Sequence, residues 1–213
     1  MPGFEVNLSV QVALVVVPAA VYFLLLGMLN SRPSPQLLSG RTDFFILNAA
    51  FFPLVCVPVL NAFGAAPWTV LGAVALLLGA ARLLGPARQG NWVVYNISLP
   101  EALRVAERAL REMDEPFSRQ GRRLALGNRP VTLSFSSVPL LRNVSISVQG
   151  HGGDGFCADF QARIGGQLSA VRAPVSAMAT AFLLIATALL AAPLGVLANR
   201  MPEMVRLITD WVH

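Results

Sequence analysis

LSVQVALVVVPAAVYFLLLGML, residues 8–29, carries no charged side chain, and its length decides the class of the protein. At 1.5 Å per helical residue it reaches about 33 Å, enough to cross a hydrocarbon core of about 30 Å. Two more apolar stretches follow at 44–64 and 67–84, and a fourth fills 174–198. The pattern predicts a polytopic α-helical membrane protein with four transmembrane helices. Three lie in residues 1–85 and the fourth in 173–198. Between them, 86–172 reads as an inserted soluble domain, and 199–213 as an amphipathic tail on the membrane surface.

The chain is 55% hydrophobic and only 13% charged, where soluble domains carry about 25% charged residues. The deficit lies in the apolar stretches, since most of the arginines and seven of the eleven acidic residues fall in 86–172. A segment of that size can bury one small core. All sixteen Lys+Arg positions are arginine. They are spread along the chain, which fits GC-rich coding and a basic membrane face better than nucleic-acid binding. No nucleic-acid partner is expected.

The first apolar run is longer than the 7–15 residues of a signal h-region and lacks a basic residue before it, so it reads as a retained helix. Arg32, Arg41, Arg82, Arg88, Arg163 and Arg172 flank one set of helix ends. Arg200 and Arg206 flank the other, offset by Glu5, Glu203 and Asp210. The positive-inside rule then puts the soluble domain in the cytoplasm and both termini outside, in a multi-pass protein of the inner (plasma) membrane.

Within the first third, residues 30–35 (NSRPSP) read as a stop and a stiff loop, and Thr42 or Asp43 as the N-cap of the second helix. Pro53 and Pro58 predict a kink or break there. Small residues at helical spacing, Ala75 and Gly79 on the third helix and Ala177, Ala181, Ala188 and Ala192 on the fourth, predict close helix packing.

In the soluble segment, Trp92–Ile97 reads as a strand. Ser98-Leu-Pro-Glu101 matches a capping box, and Leu103, Ala106, Leu110 and Met113 form the apolar face of a helix over 99–114. Alternation predicts strands at 122–126, around Val131–Phe135, at Val144–Val148, and over Phe156–Ile164. The expected domain is α+β, one helix on a mostly antiparallel sheet. Met204, Leu207, Ile208, Trp211 and Val212 form the apolar stripe of the tail, with Trp211 suited to the interface.

Candidate sites are few. His151, Asp154, Cys157 and Asp159 are metal-capable side chains within nine residues, but their spacing is not a zinc signature and the glycines among them explain a turn. Arg41 and Asp43 stand where a head group or partner could bind, against ordinary capping and interface charge. Asn48 and Asn61 could line a polar path, although such amides commonly bond across helix interfaces. Arg119, Arg122 and Arg123 form the densest basic patch, which also reads as protection of a sheet edge. Nucleophile-elbow, P-loop, H-E-x-x-H and paired-cysteine motifs are missing from the sequence, and no cofactor is expected. These features favour a non-catalytic membrane protein, a scaffold or accessory subunit whose small domain docks a protein partner or another copy. The alternative is an oligomeric channel or transporter subunit with the second helix lining a passage.

Overall fold

A computed structural model describes the backbone of residues 8–63, 67–84, 90–150 and 154–212; the side chains at 61, 154 and 196–212 are among those outside its description. In chain order the elements are α1 (Leu8–Ser31), β1 (Gln36–Ser39), α2 (Gly40–Phe63), α3 (Pro67–Leu84), β2 (Asn91–Tyr95) and α4 (Leu99–Glu112). Then come β3 (Phe117–Gln120), β4 (Arg123–Leu126), β5 (Val131–Val138), β6 (Asn143–Gly150), α5 (Asp154–Ser169) and α6 (Ala177–Val212).

Among the described residues, three helical stretches are long and apolar enough to cross a membrane: Gln11–Ser31, Gly40–Leu60 and Ala177–Gly195. The helix expected at 67–84 forms as α3, but its apolar run is shorter, Trp68–Gly79. Pro53 and Pro58 do not break α2, which is helical throughout. A proline removes one intrahelical bond, and the flanking bonds can hold the helix together.

The stretch 30–43 is more than a loop. Residues 36–39 form an edge strand antiparallel to β2, Gln36 opposite Tyr95 and Ser39 opposite Trp92. α2 starts immediately afterwards, four residues earlier than expected. The Thr42 amide donates to Ser39 Oγ at 3.0 Å, so Ser39 caps α2 in place of Thr42 or Asp43. A Cβ on Gly40 would lie 3.1 Å from Asn91 Cβ, so glycine lets α2 begin against β2.

The sheet runs β1-β2-β6-β5-β4-β3, with every neighbouring pair antiparallel. One face meets two helices, not one. Trp92, Val94, Leu124, Leu133, Phe135 and Ile146 pack against Leu103, Ala106 and Leu110 of α4 and Phe156, Phe160, Ile164 and Leu168 of α5. α5 replaces the strand expected over Phe156–Ile164. The four large apolar residues recur every fourth position and are all buried, while Ala158 and Ala162 are exposed. Those alanines, apolar by class, imitate a period of two in the sequence. Ser98 makes no side-chain cap bond to α4. The capping box expected there does not form, and the Ser98 carbonyl accepts the Ala102 amide instead.

The other face of β1 and β2 meets the membrane helices. Val93 and Tyr95 cluster with Leu26 of α1 and Phe182 of α6, joined by Tyr22, Phe23, Leu29, Leu38 and Met178. This is why Trp92-Val93-Val94-Tyr95 is continuously apolar: the strand is covered on both faces.

α1 and α6 pack closely along their length. Gly27 lies where a Cβ would come within 2.8 Å of Leu183 Cγ and 3.3 Å of the Ala179 carbonyl oxygen, and Phe23 stacks on Phe182 at 6.0 Å. The α6 residues buried by this packing are Ala179, Phe182 and Ala186; Ala177 and Ala188, expected there, are exposed. On α3 Ala75 is also exposed, and a Cβ on Gly79 would meet nothing within 4 Å. Gly27→Val should therefore overpack the α1–α6 seam and cost about 1–3 kcal/mol in a detergent melt. Gly72→Val on α3, where a side chain meets nothing within 4 Å, should leave the melting temperature nearly unchanged.

α6 is one helix to Val212, with no separate helix starting at Pro202. Residues 199–212, expected to form a separate helix, thus continue α6. The Trp211 side chain lies outside the described residues.

Candidate functional site

The densest polar constellation lies where the sheet meets the membrane helices. The alternation that turns Trp92 and Val94 toward α4 and α5 turns Tyr95 toward α1 and α6. There the Tyr95 hydroxyl donates to the Asp43 carboxylate, in the first turn of α2. Asn143 stands opposite Tyr95 on β6. Asn96 takes a left-handed conformation, φ 58°, which aims its amide at the Arg32 carbonyl, 2.9 Å away. Two backbone bonds close the corner: Ala173 N–H to Pro33 O at 2.8 Å and Ser176 N–H to Asn30 O at 3.4 Å. The end of α1 and the starts of α2 and α6 are thus gathered on one edge of the sheet. The Oδ1 atoms of Asn30, Asn96 and Asn143 are buried there without a hydrogen bond.

Burial first, then the Asp43 carboxylate, push the Tyr95 phenol above its ordinary value of 10.0. The neutral phenol is the form the junction binds. Its stabilising contribution is fully present below the unfolded value of about 10 and is lost as pH rises through the elevated folded value. The Tyr95-dependent share of stability, read as the difference between wild type and Tyr95→Phe in detergent melts, should therefore be flat from pH 7 to 9 and shrink only in stronger alkali.

The residues singled out in the sequence separate in space. Arg41 is exposed beside Asp43. Asn48 donates to the Phe44 carbonyl of its own helix at 2.8 Å, and the Asn61 side chain lies outside the described residues. Arg119 pairs with Glu107 of α4 at 3.0 Å. Arg122 and Arg123 are exposed at the tight β3–β4 turn, where Gln120 faces Arg123. His151 and the Asp154 side chain lie outside the described residues. Cys157 packs against the core while Asp159 is exposed, because two positions along a helix turn side chains nearly to opposite sides. Among the described residues no group of three potential metal ligands converges.

Two features were not singled out. Arg104, Arg108 and Arg111 recur at helical spacing on the outer face of α4 and, with Arg172, Glu101 and Glu107, line an open cleft of about 480 Å³. Each of the three has a glutamate three or four positions away on α4, Glu101, Glu112 or Glu107, so the sequence alone does not display the excess of positive charge. Glu115 is buried and holds Arg129 Nε at 2.9 Å, and the Arg129 guanidinium lies 5.6 Å from the Phe156 ring centre. No family model, curated protein or solved structure matches this chain.

Proposed function

We propose that the protein is a non-catalytic membrane scaffold or accessory subunit whose domain, mounted on its own membrane helices, presents a docking surface for a protein partner. The observation that carries this reading is the division of the sheet's two faces. At β1 and β2, one is packed on α1 and α6. The α4–α5 layer covers the other and bears the cleft of Arg104, Arg108, Arg111 and Arg172. Glu107 is already engaged by Arg119, so the cleft keeps an excess of positive charge that suits an acidic partner segment.

Four membrane crossings fit the connectivity. β1 leads into α2 at the sheet and β2 returns to it, so α3 carries the chain back from the far end of α2. Both termini then lie on the side opposite the domain, and the arginine asymmetry favours a cytoplasmic domain. A cysteine in place of Ser118 should resist a membrane-impermeant thiol reagent in intact cells and react after lysis. Equal labelling in both would overturn this orientation.

The functional test is affinity purification from native membrane followed by native mass measurement. A heterologous subunit should accompany the wild type and be lost from a stably inserted Arg104→Glu/Arg108→Glu/Arg111→Glu variant. A closed homo-oligomer with no other subunit would contradict the scaffold and favour the channel reading.

A further inference from the structure

The connection between β5 and β6 is a single 3-10 turn, Pro139–Leu141, closed by Arg142 in a left-handed conformation with φ 46°. Val138 faces Asn143 in the ladder, and Asn143 faces Tyr95. Val138 therefore lies on the sheet face that meets the membrane helices. Leu141 turns into the cluster of Leu26, Tyr95 and Phe182. Leu26 lies five residues inside the end of the apolar span at Ser31, and Phe182 five residues inside the one beginning at Ala177. Five residues are about 7.5 Å of helix. The turn is therefore level with the last helical turns of the spans, not above them. Yet Val138 is 49% exposed and Leu140 65% exposed.

We infer that the Pro139–Leu141 turn is a second, non-helical membrane anchor. Val138 and Leu140 enter the boundary between lipid head groups and acyl chains, beside α1 and α6. The occupant of this apolar surface is lipid because the surface continues that of the spans without a step. Arg142 and Arg32 mark the head-group level. The Arg142 carbonyl accepts the Ile97 amide at 3.2 Å, and the Arg32 carbonyl accepts the amide of the adjacent Asn96 at 2.9 Å, so both arginines leave the same corner. The Arg142 side chain can reach lipid phosphates while the leucine sits deeper, and Arg32, whose Nη1 donates to Gln36 Oε1 at 2.9 Å, keeps its other donors for them. Insertion of such residues by about 5–10 Å is ordinary for interfacial anchors.

The inference rests on the membrane reading, and the experiment separates the two. A spin-labelled amino acid is introduced genetically at Leu140, Val138, Leu25 or Arg122, one position per variant, leaving Cys56 and Cys157 in place. The full chain is reconstituted in vesicles of zwitterionic and anionic phospholipid, and collision with oxygen is compared with collision with a water-soluble nickel complex. Leu25, exposed on α1, reports insertion; Arg122, on the β3–β4 turn, reports water. Leu140 and Val138 should show an oxygen-to-nickel ratio several-fold above that of Arg122 and below that of Leu25. A Leu140 ratio equal to that of Arg122, with Leu25 in lipid, overturns the anchor and leaves the membrane reading standing. Leu140 shielded from both probes would mean that protein covers the turn, which also overturns it. Leu25 in water would overturn the membrane reading and the anchor together.

Discussion

Phe160→Ala should remove about 3–5 kcal/mol from the stability of the sheet domain, the largest single-residue effect expected in this chain. The ring is fully buried, with centroids 5.6 Å from Trp92 and 5.8 Å from Phe156. It joins α5 to the strand that carries the domain's contact with the membrane helices. Loss of protection from hydrogen exchange in β2, α4 and α5 of the detergent-solubilised protein would report it. The matched control is Ala158→Glu. On a helix Ala158 points outward, and the change should stay within about 0.5 kcal/mol. On the strand that alternation first suggested, Ala158 would share the face of Phe156 and Phe160, and a carboxylate there would unfold the domain. The pair of variants therefore tests the identity of α5 as well as the depth of its core.

Arg129→Met should be the second large effect. Glu115 is 8% exposed and its Oε2 has no hydrogen bond, so Arg129 supplies the charge that makes burial of this carboxylate tolerable. Removing it strands the carboxylate, at about 1.5–3 kcal/mol for a charge-assisted bond; the lower part of that range applies because the Arg129 side chain is 45% exposed. Glu115→Met combined with Arg129→Met should recover most of the loss, since replacing both partners with apolar side chains removes the desolvation cost along with the attraction. A double variant as unstable as Arg129→Met alone would show that the loss came from Arg129 packing over Phe156 and not from the charge.

What the sequence made legible follows from the range of the interactions involved. The spans are set by composition within one stretch of chain, so Gln11–Ser31, Gly40–Leu60 and Ala177–Gly195 could be read to within two to four residues at each end. α4 was equally plain, because its buried Leu103, Ala106 and Leu110 keep helical spacing and its outer face is charged. β5 and β6 were legible from alternation. β1 was not: Gln36-Leu-Leu-Ser39 is four residues long, follows Pro33 and Pro35, and acquires its identity only from β2, more than fifty residues later. Local pattern carries no record of such a pairing. α5 was masked by alanine, which is apolar by class but too small to show which face is inward, and by Gly165 and Gly166, which disfavour a helix.

The polar junction was half visible. Asp43 stood out as an acid at the mouth of a span, but its partner Tyr95 comes from β2 and its neighbour Asn143 from β6. Only the antiparallel register brings the three together. The arginines of the α4 cleft keep helical spacing in the sequence, but glutamates at the same spacing balance them there, and only the fold shows that Glu107 is taken by Arg119 of the next hairpin.

The central claim is that the domain is built onto the membrane helices through β1 instead of hanging from a linker. Hydrogen exchange of residues 36–39 in lipid nanodiscs addresses it directly. If β1 is a strand of the sheet, the amides it donates to β2 should exchange together with those of β2, far more slowly than those of the exposed Gly121–Arg122 turn. Exchange of all four amides within seconds, at the rate of an unstructured linker, would contradict the account.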